Sequence, residues 1–348
     1  MKLHISNFVN SNLFTWILAF LVIGTFSTCN QIDLEDTVET EDMLAVRGGN
    51  SPRNLPYTGN LVEVISQDFD YNMPEKIPYG WNTFRYHNDS PVEQFFVIIN
   101  LPVFEGEQKT VEDAKAEVAV VFQDILDLLN EGKMQEAFAE AANLPAWYAE
   151  AGVIGGVGIV SPGKTAQTTI NLEPGEYYIE NYMKTNGTFH VVKGMITGFT
   201  VTDKASKGTI PNPTLNMTLS TEGGIEIDEN IRPGLHQIEV YFKDQFYYAN
   251  LERHDVHLIK LEEDTDLEEL FFWMNWINIG GLETPAPVTF LGGTQEMAEG
   301  ERAYLTVHLT PGTYAWISEV PNADQEGLFK VFTVPFGQET GRPSNPGR

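Results

Sequence analysis

One spacing occurs twice in this chain of 348 residues. It runs Gly-Gly, six residues, Gly, ten residues, Pro-Gly-x-Tyr: first Gly155-Gly156, Gly163, Pro174-Gly175 and Tyr177, then Gly292-Gly293, Gly300, Pro311-Gly312 and Tyr314. Two equal spacings argue for one unit duplicated in tandem. Pro followed by Gly suits positions two and three of a type II turn, where glycine accepts positive φ at little cost. Each Pro-Gly is therefore expected to reverse a sheet tightly.

Aligning the halves on these pairs brings out matching strands. Ile77-Pro78-Tyr79-Gly80 leads into Trp81 to Tyr86, and Ile231-Arg232-Pro233-Gly234 leads into Leu235 to Tyr241. Alternation behind a turn marks half-buried strands. Phe95 to Leu101 and Asp255 to Leu261 follow, and after each Gly-Gly come a turn and two more strands (Gln167 to Leu172 and Tyr177 to Tyr182; Tyr304 to Leu309 and Tyr314 to Val320). Each half also inserts a helix before its Gly-Gly. The first opens at Thr110 with Asp113 three residues on, carries Val118, Phe122, Ile125 and Leu129, and stops at Gly132; a second short helix spans Met134 to Ala142. In the other half Thr265 and Glu268 form a capping-box pattern ahead of Leu270, Trp273 and Ile277.

The chain opens with Lys2 and His4 before an apolar run, Leu13 to Phe26, that reads as a secretory signal and is short for a membrane span. Phe26-Ser27-Thr28-Cys29 places the only cysteine directly after it, resembling the lipobox of bacterial lipoproteins. That resemblance implies an acylated Cys29, leaves the folded part without a thiol, and implies a protein held in the outer membrane or at the cell surface of a Gram-negative bacterium. Residues 29–58, acidic and then Gly- and Pro-containing, read as a flexible tether. The expected organisation is a signal peptide over 1–28, the tether over 29–58, domains over 59–202 and 214–335, a linker over 203–213 and a tail over 336–348.

A formal charge of −28 sets aside nucleic acid, whose phosphates are neutralised by Lys and Arg. The acidity is most simply a solvated surface.

Gly-x-Tyr on a strand, followed by Gly187-Thr188-Phe189-His190 and Gly194-Met195, resembles the copper-binding end of the cupredoxin (plastocyanin-like) family. The resemblance implies an all-β chain of two tandem cupredoxin-like Greek-key β-sandwiches, each with a helical insertion before its Gly-Gly. It places the family's early histidine at Gln94, its cysteine at Asn181, and its later histidine and methionine at His190 and Met195. The equivalents in the second half are His254, Ser318 and Lys330. Neither half keeps the full set, and a blue-copper site requires a thiolate. The expectation is a vestigial site, no cofactor, no enzymatic activity, and a binding or assembly role with an envelope protein partner. The alternative is copper held weakly by His190 and Met195.

Three further patterns suggest chemistry. Gly158 to Thr165 fits GxxxxGKT, yet Ala166 to Leu172 alternates like a strand, so no phosphate-binding helix is expected and no nucleotide. Asp68, Asp70 and Asn72 begin like an EF-hand loop, with Met73 and Tyr79 at the positions that need Gly and Glu. Leu270 to Trp276 is the densest aromatic stretch, either a buried cap or an exposed platform for a partner or sugar, according to the exposure of Trp273 and Trp276.

Overall fold

The computed structural model describes residues 55–336 apart from Glu229. The signal, Cys29 and most of the tether lie outside the described residues, as does the tail beyond 336. The last tether residues belong to the fold: Leu55 is buried, its carbonyl accepts from Arg85 Nη2 at 2.6 Å, and the Pro56 carbonyl accepts from Gln167 Nε2 at 2.7 Å. Among the described residues no helix is long and apolar enough to cross a membrane.

The first copy supplies β1 (Asn60–Gln67), β2 (Asp70–Asn72), β3 (Lys76–Asn88), β4 (Gln94–Leu101), β5 (Val153–Val160), β6 (Thr165–Leu172), β7 (Gly175–Glu180) and β8 (Ile196–Ala205). The second supplies β9 (Leu215–Ser220), β10 (Gly224–Ile227), β11 (Gly234–Phe242), β12 (Val256–Leu261), β13 (Thr289–Thr294), β14 (Arg302–Leu309), β15 (Gly312–Ile317) and β16 (Phe329–Val334). One layer of the first copy runs β2-β1-β3-β6 and the other β5-β4-β7-β8; the second copy repeats this as β10-β9-β11-β14 and β13-β12-β15-β16. β1 lies parallel to β3, and β9 parallel to β11. The fold is all-β and cupredoxin-like, with two Greek-key sandwiches as expected.

The two sandwiches are fused along their edges. Thr168 on β6 pairs with Leu305 on β14, and Val160 on β5 with Leu291 on β13, so both layers continue from one copy into the other. Thr168 and Leu305 each lie twelve residues after the second glycine of their pair, which makes the seam a local twofold. Edge strands that would otherwise invite foreign pairing are thus closed by the duplicate. One hydrophobic core extends across both halves.

The repeated glycines follow from this packing. Gly155 and Gly292 have φ of +118° and +98° at irregularities in the ladders. A Cβ on Gly156 would lie 2.1 Å from the Phe96 carbonyl oxygen, and one on Gly293 would lie 2.0 Å from that of Val256. No side chain fits at either place.

The Pro-Gly-x-Tyr repeat has a different cause from the one expected. Gly175 does not adopt positive φ and Gly312, at +158°, is nearly extended. Tyr177 donates to the Glu173 carbonyl at 2.9 Å and Tyr314 to that of Thr310 at 3.0 Å, a tyrosine corner in each copy. A Cβ at Gly175 would press on the Tyr177 ring at 3.3 Å, so the glycine makes room for the corner.

The first insertion is a continuous helical run over 111–130. Its N-cap Thr110 forms a capping box with Asp113; a π-helical turn at Ala114–Ala119 follows, and α1 (Val120–Asn130) stops before Gly132 at φ +74°. α2 (Met134–Glu140), the single turn α3 (His190–Lys193) and α4 (Leu267–Met274) complete the helices that matter here. The cap of α4 is Asp266, not Thr265: its carboxylate accepts from the amides of Glu268 and Glu269, whereas Thr265 Oγ1 accepts from Glu262. Ile277 lies beyond the helix end. The linker also starts later than expected, because β8 continues past 202 and pairs Ala205 with Tyr79 beyond a bulge.

Candidate functional site

β4 begins and β7 ends beside the loop that carries α3, and there the four residues singled out in the first copy meet. Gln94, Asn181, His190 and Met195 are all fully buried. Asn181 Nδ2 donates to Gln94 Oε1, His190 Nδ1 lies 3.1 Å from the same oxygen, and His190 Nε2 lies 2.8 Å from Thr185 Oγ1. The Gln94 oxygen can only accept, so Nδ1 carries the proton and Nε2 accepts from the threonine. Burial, with Lys193 nearby, lowers the imidazole pKa to about 3, so it stays neutral. Met195 is tied in by its backbone, donating to the His190 carbonyl at 3.0 Å and accepting from Asn181 N at 3.1 Å.

These donors do not fit a blue-copper centre. Amides stand where one imidazole and the thiolate would be required, and both ring nitrogens of His190 are already engaged with protein groups. Full burial also removes these side chains as a docking surface.

The second copy does not assemble its three residues. His254 lies against Tyr248 Oη and the Asp244 carbonyl, both at 3.2 Å, while Ser318 donates to Asp255. Lys330 sits within β16 opposite Trp316. The backbone bonds that tie Asn181 to Met195 and Met195 to His190 reappear as Ser318 to Leu328 and Leu328 to Ala323. Ala323, not Lys330, therefore occupies the later-histidine position; a shorter connection between β15 and β16 displaced the alignment.

The structure gathers a second set that the sequence reading missed. Asp255, His257 and Glu319 are buried with their ligand atoms within 4.8 Å of one another. Asp255 and His257 are two apart at the start of β12, hence on one face, and the antiparallel register opposite β15 brings Glu319 to them. That period-two pair was the available signal. His257 Nδ1 accepts from Ile159 N–H across the seam at 3.0 Å, so Nε2 carries the proton toward Asp255 and toward Glu319 Oε1 at 3.0 Å. Burial lowers the imidazole pKa and the two carboxylates raise it by more. Charge alone favours an imidazolium, but both an imidazolium and a metal-bound imidazole would aim an Nδ1–H at the Ile159 amide. The direct Nδ1 contact decides for neutral imidazole. The shared proton then belongs on Glu319, whose carboxyl burial raises and neither of whose oxygens receives a well-directed hydrogen bond. A metal ligand normally donates through its other ring nitrogen, the reverse of what His257 does.

Next to this set, both copies line a cavity of about 100 Å³. One wall is a chain of rings supplied mainly by the insertions: Tyr148 to Phe122 at 6.0 Å, Phe122 to Trp276 at 6.4 Å and Trp276 to Phe189 at 5.9 Å between centroids. Trp273 and Trp276 are buried, so the aromatic stretch is an internal wall, with Phe272 turned outward. The polar side carries Glu180, Glu252, Glu296 and Gln295. Burial raises the Glu180 carboxyl to about 7, and raises Glu252 and Glu296 as well.

The chance motifs resolve plainly. Gly158 to Thr165 is strand, turn and strand, with no helix to receive a phosphate. Asp68 and Phe69, both at positive φ, form the tight reversal between β1 and β2.

No family model matches the chain, and no curated protein matches it. Solved structures similar to it include a dithionite-reduced auracyanin from the photosynthetic bacterium Roseiflexus castenholzii, at 19% identity over 42% of this chain and 98% of that one, TM-score 0.23. A multicopper oxidase is similar at 12% identity over 83% of this chain and 99% of its own, TM-score 0.20. A copper-containing nitrite reductase from Thermus scotoductus is similar at 10% identity, over 79% and 61% of the two chains, TM-score 0.18.

Proposed function

We propose that the protein is a lipid-anchored binding module of the bacterial cell envelope, non-catalytic, which takes a small ligand in the cavity at the seam between its two sandwiches. The observation that carries this reading is the cavity itself: aromatic rings and carboxyl groups line one space, to which the helical insertions contribute Ala119, Phe122, Tyr148 and Trp276. Pockets of this make-up are the usual place for small-molecule recognition. The former copper end is a weaker candidate, since its side chains are occupied with one another. An envelope protein partner and attachment through Cys29 belong to the same proposal.

Ligand-observed NMR of the purified protein against a mixed library of small metabolites tests it. Hits are expected with wild type and are expected to vanish in Ala119→Met, which fills the cavity wall while near-UV circular dichroism stays native. Hits indifferent to that substitution refute the site. Copper-loaded protein that oxidises a phenolic substrate, with turnover lost in His190→Ala, refutes the non-catalytic reading. Cys29→Ala is expected to move the protein from the membrane to the soluble fraction.

A further inference from the structure

The cavity carries more carboxylate than its surroundings answer. Glu296 is satisfied by Arg253, whose Nη2 and Nε reach Oε1 at 2.8 and 3.1 Å while the Arg253 amide reaches Oε2 at 2.9 Å. Glu252 has only the Tyr182 hydroxyl at 3.5 Å. Among the described residues no donor reaches the Glu180 side chain, and the Asp255 carboxylate adds negative charge close to Glu252. The same cavity is lined by the four rings of Tyr148, Phe122, Trp276 and Phe189. Gln295, buried and lining the same space, leaves Nε2 without an acceptor. Carboxylates facing aromatic rings recognise ammonium groups, through charge on one side and ring quadrupoles on the other. An unanswered amide N–H asks for a ligand oxygen.

We infer that the cavity binds a small hydroxylated ammonium ligand, its cationic head between the aromatic wall and Glu180 and Glu252, its oxygen on Gln295 Nε2. This rests on the cavity being the ligand site. Before the ligand enters, Glu180, raised by burial to about 7, holds its proton below neutral pH. The ammonium favours its ionised form, so binding releases a proton from Glu180 to buffer and affinity rises with pH.

The test is isothermal titration of the intact protein with choline and with 3,3-dimethyl-1-butanol, its uncharged isostere. Choline is expected to bind at least about tenfold more tightly than the alcohol, and more tightly at pH 8 than at pH 6 by up to about tenfold per unit below the carboxyl pKa. Titrations in two buffers of different ionisation heat should reveal the released proton. Glu180→Gln/Glu252→Gln should reduce choline affinity to that of the isostere and abolish the pH dependence. Phosphatidylcholine vesicles that compete place the ammonium on a lipid headgroup, and vesicles that do not compete place it on a free amine; both support the inference. Equal binding of choline and the alcohol overturns the cation while keeping the cavity as a ligand site. Unchanged choline binding in the folded double variant overturns it too. Failure of both compounds, with neutral library hits still sensitive to Ala119→Met, overturns this inference alone; loss of that sensitivity overturns the site.

Discussion

Glu180 offers the most direct measure of what the seam costs the fold. It ends β7 facing the cavity, and burial raises its carboxyl from 4.5 to about 7. Between those values the native state holds a proton that the unfolded chain releases, so stability is fully present below pH 4.5 and is lost as pH rises through 7. That rise from 4.5 to about 7 corresponds to about 3 kcal/mol. Glu252, Glu296 and Glu319 are shifted the same way and steepen the wild-type slope. Glu180→Gln isolates one contribution, because an amide is neutral throughout. Urea unfolding of ligand-free protein from pH 4.5 to 8 should show variant and wild type nearly equal at the acid end. The variant should be about 3 kcal/mol more stable at the alkaline end, with equal m-values. Parallel curves would refute the reasoning, since they would mean that Glu180 is ionised and well solvated in the native state.

Removing the corner hydroxyl in Tyr177→Phe or Tyr314→Phe should cost about 1 kcal/mol each in urea midpoints, and the two losses should add because the corners share no partner. Gly293→Ala should destabilise by about 2–4 kcal/mol, because the new methyl would meet the Val256 carbonyl; a neutral result would show that the seam can open there. His257→Leu should cost about 1–3 kcal/mol by removing the Nε2–H that faces Asp255 and Glu319, with His257→Leu/Glu319→Leu recovering part of the loss. A double variant no better than the single one would show that the carboxyls do not depend on the imidazole proton.

Duplication, strand periodicity and the slots of the helical insertions were local properties, legible because alternation and turn chemistry act over a few residues. Gly156 and Gly293 were visible as a repeated pair, yet their reason lies in a neighbouring strand's carbonyl, which only the assembled ladder supplies. The grouping of Gln94, Asn181, His190 and Met195 was also legible, since the loop order in the first copy follows the cupredoxin pattern. In the second copy the shorter β15–β16 connection hid the true correspondence with Ala323. Glu319 and His257 are far apart in sequence and meet only through register. The cavity was further from view, being a space between surfaces contributed by Phe122, Trp276 and Glu180, and no single segment encodes it. The sequence by itself determined two β-sandwiches lacking a copper thiolate. Edge-to-edge fusion of those sandwiches decided where carboxylates and rings would face each other, because burial and contact are set by the packing of distant strands.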